Sequence, residues 1–344
     1  MPRKPRGRDA RATQTLRIGS RCLFIGLLLL LCAGIVQAGP FLPVQRLTLG
    51  NMNQDGDLFL RIKIGTVELS EGISFEVVLE HATEAGDYAA TGSRFHLRPF
   101  ETSAWEREAG EFFWETPGGG RMSAFAKEDA VPKIPPAIQM DGFPSRFPKY
   151  ARLNNVLAGW NEAGDAWVRS ESWELGYKNG GLSVIRSPEN KLFAVRAGGG
   201  KITEIRAGRR RLAAVEWSAN RNPAALRRGN DRYGFAEDGQ GRMTRVIDEE
   251  IGAAIIEFSY NKDGLVERVK RIGAEDMTVS WRKNKGYGRG DSFYKKPFSV
   301  EKINDTRYAY SRDGNRVTMK MKPPDGGWKR LRWESRNGRT IPIN

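Results

Sequence analysis

The sequence predicts an all-β protein built of serial antiparallel hairpins, and three observations carry that expectation. From Leu175 onward one phrase recurs: a pair of apolar or aromatic residues two apart, a turn with Gly or Asn, then apolar residues three apart. Ahead of it, residues 60–128 alternate apolar and polar in short runs broken by glycine turns, the pattern of antiparallel strands. No stretch after residue 39 has the 3.6-residue apolar period of an amphipathic helix. The expected product is an open curved sheet or partial shell, preceded by a smaller β region and a signal peptide.

Residues 1–38 form the expected signal peptide. Seven Lys and Arg against Asp9 give a basic leader of net +6, followed by an apolar run from Cys22 to Val36 and a small-x-small site at Val36-Gln37-Ala38. An uncleaved anchor is the alternative, because the run is only slightly short of the roughly 17–25 residues of a spanning helix. Either way residues 39–344 face outward, so the expected location is periplasmic, cell-surface or extracellular. Both cysteines, Cys22 and Cys32, lie in the leader, which excludes disulfide and thiolate chemistry from the rest.

Residues 39–128 are the expected N-terminal β region, and 129–172 a connector and irregular lead-in. Pro132, Pro135, Pro136, Pro144 and Pro148 exclude helix and central strand over the connector. Residues 173–344 are the hairpin domain. Its cleanest copy is Phe258-Ser-Tyr260-Asn261-Lys-Asp-Gly264-Leu-Val266-Glu-Arg-Val269. Phe258 and Tyr260, two apart, project to one side of a strand. Asn261 to Gly264 is turn chemistry, and the odd spacing of Val266 and Val269 implies a bulge or twist. The second aromatics fall at 235, 260, 281, 310 and 333, in steps of 25, 21, 29 and 23. Such a period signals repeats that bury their apolar faces only against neighbours. The longer insertion from Lys283 to Thr306 should project as a loop.

The copy at 258–269 resembles the YD repeat of Rhs proteins, with Asn261 in the Asp position and Gly264, Val266 and Val269 matching in spacing. Gly241-Arg242-Met243 followed by Val246 is similar to its second half, as is Gly338-Arg339. Upstream, Ile73 to Glu80, Gly92 to Phe95 and Phe113 to Gly120 are similar to the segment that precedes such repeats. The resemblance implies a β shell segment. Long members end in a self-cleaving core with an Asp-Pro and a toxin; this chain has no Asp-Pro dipeptide, so those activities are not carried over.

Charge is uneven. Residues 39–200 hold 17 Lys+Arg and 21 Asp+Glu, net −4; residues 201–344 hold 32 and 19, net +13. Cations on solvent-facing strand positions blunt sheet edges, which is the plain reading. The sharper one is a basic surface for an anionic partner, with Arg209, Arg210, Arg211, Arg227, Arg228, Lys329, Arg330 and Arg332 as candidate binding residues. Trp281 and Trp333 are candidates to stack on sugar rings.

Catalytic constellations are thin. His81 and His96 lack a recognisable nucleophile partner, Glu249-Glu250 reads as solvated, and Gly198-Gly-Gly-Lys201 reads as a hairpin turn, since the phosphate loop's first glycine is Val195. The Arg-Gly-Asp tripeptide at 289–291 would project from the insertion. No cofactor, metal or nucleic acid is expected, and a membrane only if the leader stays. The expected function is a non-enzymatic binding surface for an anionic glycan or envelope polymer. The alternatives are a shell segment pairing with another chain through its open sheet edge, and a polysaccharide-active enzyme.

Overall fold

The computed structural model describes residues 58–70, 73–82, 95–108, 110–118, 121–126, 143–144, 146–153, 155–284, 297–313, 316–336 and 339–343. The leader, most of the proline connector, the Arg-Gly-Asp tripeptide and the 92–94 and 338 motif positions lie outside them. The described residues form strands and turns, with no helix.

A small antiparallel sheet comes first: β1 (Phe59–Ser70), β2 (Ile73–Ala82) and β3 (Phe95–Arg98). A second unit follows, β4 (Ser103–Glu108), β5 (Glu111–Glu115) and β6 (Arg121–Phe125). The rest is one ladder in which each strand pairs antiparallel with the next. It opens with β7 (Lys149–Leu153), β8 (Val156–Trp160), β9 (Ala166–Ser170), β10 (Trp173–Lys178), β11 (Gly181–Arg186) and β12 (Leu192–Gly198). It continues with β13 (Lys201–Ala207), β14 (Arg210–Trp217), β15 (Pro223–Arg228), β16 (Asp231–Glu237), β17 (Met243–Asp248) and β18 (Ala253–Tyr260). The last are β19 (Val266–Arg271), β20 (Met277–Lys283), β21 (Phe298–Ile303), β22 (Thr306–Asp313), β23 (Arg316–Lys322), β24 (Lys329–Arg336) and β25 (Arg339–Ile343).

The ladder stays open at β25. The second unit joins it near its beginning, where Ser103 of β4 stands opposite Gly181 of β11. Just before β4 and at its start the chain crosses hairpin tips: Ile202 N–H donates to Phe100 O, Thr102 N–H to Gly200 O and Ala104 N–H to Gly180 O.

The three-residue apolar spacing has a direct structural cause. Between Ser259, opposite Arg268, and Tyr260, opposite Val266, the register slips and Glu267 is left over. That extra residue lets Val266 and Val269, three apart, both face inward at 0% and 2% exposure. The same slip stands just before residues 177, 197, 217, 237, 260 and 281, in steps of 20, 20, 20, 23 and 21. One bulge per hairpin also increases the local right-handed twist, which curves the sheet.

The turns follow the same economy. Asn261 N–H donates to Leu265 O, Gly264 N–H returns to Asn261 O, and Asn261 Oδ1 accepts the N–H groups of Asp263 and Leu265. Gly264 closes this loop at φ +77°, a conformation open to glycine without steric cost. Asp238 organises its turn identically through Gly241, Gln240 and Arg242. These are the Asx positions of the repeat phrase.

The small β1–β3 sheet lies against the inner face of the ladder, in one shared apolar core. Phe95 of β3 meets Phe258 of β18 with ring centroids 4.4 Å apart. Burying a ring or branched side chain of this size contributes about 1.5–3 kcal/mol. Arg228 of β15 reaches inward to donate to Thr66 O of β1.

Two expectations shift. The ladder begins at Lys149, not near Leu175: Trp160, Trp167 and Val168 are buried, and Gly164 serves a hairpin turn rather than an irregular lead-in. Part of the insertion 283–306 is not loop, because Phe298–Ile303 pairs with β20. The Gly199-Gly200 segment is the hairpin turn expected, with Gly198 opposite Lys201.

Candidate binding surfaces

In a ladder, residues directly opposite one another on neighbouring strands share a face. Over β21–β24 the inward face carries Val300, Ile303, Tyr308, Tyr310, Met319 and Trp333, all buried. The outward face is cationic. Lys302 stands opposite Arg307, Arg307 opposite Lys322, and Lys320 opposite Arg330; Thr318 stands opposite Arg332. Arg307, Lys322, Arg330 and Arg332 are exposed, and Lys302 and Lys320 half-buried.

Little neutralises these six charges. Lys302 Nζ lies 3.1 Å from Asp305, an exposed partner. Among the described residues none of Arg307, Lys320, Lys322, Arg330 and Arg332 has a carboxylate within 4.0 Å. Like charges directly opposite cost roughly what opposite charges contribute, about 0.2–1 kcal/mol per pair. The patch therefore holds unspent electrostatic attraction for an anion.

The candidate residues divide between this face and the edge of the ladder. Arg330 and Arg332 lie on the face; Lys329 stands opposite Met321, on the other side of β24, yet is exposed where the strand begins. Arg209, Arg210 and Arg211 are exposed at the β13–β14 turn. Arg227 is exposed and pairs with Glu216 at 3.3 Å. Arg228 is different: it is half-buried, bonded to Thr66 O and the Tyr233 hydroxyl, and paired with Asp231. It fastens the inner sheet to the ladder rather than facing solvent.

The sugar-stacking aromatics are corrected. Trp333 is 3% exposed, and half-buried Trp281 donates its indole N–H to Val266 O at 2.8 Å. Trp217 donates to Ile202 O and the Tyr260 hydroxyl to Met243 O in the same way. Each ring reaches back one strand to the carbonyl at that strand's first turn-side residues, so these aromatics stitch consecutive strands.

Sequence reasoning missed Lys302, Arg307, Lys320 and Lys322. The i, i+2 spacing of Lys320 with Lys322 and of Arg330 with Arg332 is visible in the sequence. Their convergence needs the register.

A buried polar junction occupies the place where β3, the crossing segment and β13 meet. Glu101 accepts from Lys201 Nζ at 3.1 Å and contacts His96 Nδ1 at 2.5 Å. Lys201 also sits 3.7 Å from the Trp217 ring centroid. Arg98 donates to Glu101 O and lies 3.7 Å and 3.6 Å from Glu80 and Glu115. Nearby, buried Tyr177 accepts from the Trp114 indole and bonds Thr102, and burial pushes its phenol well up. Carboxylates and cations here neutralise one another, which makes a structural lock rather than an acid–base pair. His81 is fully buried against the Phe95 ring, 4.9 Å between centroids. Glu249 and Glu250 are exposed. Among the described residues no three His, Cys, Asp or Glu side chains are grouped to hold a metal ion.

No protein-family model matches the chain, and no curated protein matches it. Among solved structures it is similar to a chain of the Tc holotoxin pore of Photorhabdus luminescens, with 11% identity and a TM-score of 0.29. It is also similar to a chain of the TcdB2–TccC3 crystal structure, with 10% identity and a TM-score of 0.31. Each match covers 85% of this chain but only 15% and 16% of those chains. The likeness is coarse.

Proposed function

We propose that this chain is an exported, non-enzymatic protein of YD-repeat type whose ladder presents a binding surface for an anionic glycan or envelope polymer. The observation that carries the reading is the outward face of β21–β24, where Lys302, Arg307, Lys320, Lys322 and Arg330 stand opposite one another and Arg332 shares the face. Of these six, only Lys302 has a carboxylate, exposed Asp305, within 4.0 Å among the described residues. A polymer bearing sulfate, phosphate or carboxylate groups relieves that repulsion and gains charge-assisted hydrogen bonds from Arg307, Arg330 and Arg332. Trp281 and Trp333 take no part in it, since both serve the core. The repeat phrase and the hairpin-per-phrase ladder support the YD-repeat type, and the basic, then apolar, first 38 residues support export.

The test is retention on immobilised heparin and on polyphosphate. The wild-type chain should hold at about 0.5 M salt, where the Debye length is about 4 Å and only close, multiple contacts survive. Lys320→Ser/Arg330→Ser/Arg332→Ser should release at low salt. Equal elution of the two proteins would refute the site.

A further inference from the structure

The ladder has two edges, and they differ. Because each strand is joined to the next, alternate connections share an edge. The turns organised by Asn161, Ser218, Asp238 and Asn261 lie on one edge, where their side chains hydrogen-bond within and between turns. Among the described residues, the other edge holds the exposed large apolar residues of the ladder: Leu192 at 49%, Ile251 at 63%, Ile272 at 64% and Trp328 at 49% exposure. They belong to the β11–β12, β17–β18, β19–β20 and β23–β24 connections.

Two of these tips repeat one design. Ile251 is followed by Gly252 at φ +65°, and Ile272 by Gly273 at φ +71°; no atom lies within 4 Å of where a Cβ would stand on either glycine. Gly327, before Trp328, is equally open. Three of the four apolar side chains thus stand beside uncrowded backbone, and all four are about half or more exposed. On the same edge, earlier in the ladder, stand exposed Arg209, Arg210, Arg211, Arg227 and Arg232.

We propose that this edge docks on an anionic lipid surface, with the apolar tips inserted at the headgroup boundary and the arginines over negative headgroups. The spacing favours a membrane over a protein. Ile251 and Ile272 are two strands apart, about 10 Å, and Leu192 and Trp328 stand farther off, at about 4.8 Å per strand. A stable protein interface needs a continuous patch of about 800 Å² per partner with a closely packed centre. Isolated apolar side chains flanked by charge suit a fluid interface, where each buries its own area independently. Glu249, Glu250 and Glu275 flank the isoleucines, so attraction to negative headgroups falls to the arginines of β13–β16.

The experiment uses the full chain with vesicles of phosphatidylcholine carrying brominated acyl chains, with and without phosphatidylglycerol. Bromine quenches indole fluorescence at close range. Quenching should appear with the phosphatidylglycerol vesicles, be lost on Trp328→Phe, and weaken on Arg209→Ser/Arg210→Ser/Arg211→Ser. Lys320→Ser/Arg330→Ser/Arg332→Ser, on the outward face, should leave it intact, which separates this docking from the polymer site. Quenching that survives Trp328→Phe, or none at all, overturns the proposal. So does a dimer in light scattering that Ile251→Ser/Ile272→Ser abolishes, because the tips would then serve a second copy.

Discussion

Glu101 and Lys201, one hundred residues apart in the chain, meet in a buried ion pair 3.1 Å long. The pair clamps the segment crossing the hairpin tips to β13, beside the bridge that pairs the same two residues in the backbone. Removing one partner leaves the other charge in a site less than a tenth exposed. Lys201→Met should therefore destabilise the fold by about 3–5 kcal/mol, whereas replacing both partners by apolar residues should recover much of that. Urea unfolding of the two single variants and the double variant measures the coupling; additive losses would show that the pair does not act as a unit.

The backward-reaching aromatics should contribute separately from their packing. Tyr260→Phe keeps the ring and deletes the hydroxyl that donates to Met243 O. An unsatisfied, partly buried carbonyl costs about 1–3 kcal/mol. The midpoint of urea unfolding should fall with an unchanged slope. An unchanged midpoint would mean that water replaces the bond.

Asp238 predicts a pH dependence. Burial pushes its carboxyl up, but the Arg242 guanidinium and the N–H groups of Arg242 and Gln240 outweigh burial and hold it below the usual carboxylate range. A folded value below the unfolded one means a stability contribution fully present above about pH 4 and lost as pH falls through the folded value. The pair is partly solvated, so the contribution is below about 1 kcal/mol. Asp238→Asn should melt lower than wild type at pH 7, and the gap should narrow as pH falls below about 4. A gap constant with pH would remove the ionic part of the argument.

The outward face should trade stability against binding. Lys320→Glu converts the like pair with Arg330 into an opposite pair, a gain of about 0.2–1 kcal/mol. The melting temperature should rise by about 1–3 °C. Retention on heparin should fall. A variant both less stable and equally retained would contradict the reading of this face.

How far the sequence reached can be judged residue by residue. Phe258, Tyr260, Asn261 and Gly264 announce a strand and its turn, because side-chain alternation and the left-handed glycine are local properties of the chain. The three-residue step from Val266 to Val269 announces a bulge for the same reason. The strands at 149–170 were hidden, since Asn154, Asn155, Gly159 and Gly164 read as irregular, although Gly159 lies inside β8 and Gly164 in the tight turn that follows it. Trp281 and Trp333 look alike in the sequence as aromatics beside cations. Which way each faces depends on what packs against it.

The sequence by itself determined that the chain forms antiparallel hairpins repeating every 21–29 residues, with a basic second half, because strand alternation, turn chemistry and charge are written locally. Tertiary structure alone decided which cations meet. Lys302, Arg307, Lys320 and Arg330 come from four different strands, and only the pairing register brings them onto one face. It also turned Arg228 inward to Thr66 and joined Glu101 to Lys201, contacts that exist because the inner sheet and the crossing segment lie against a curved ladder.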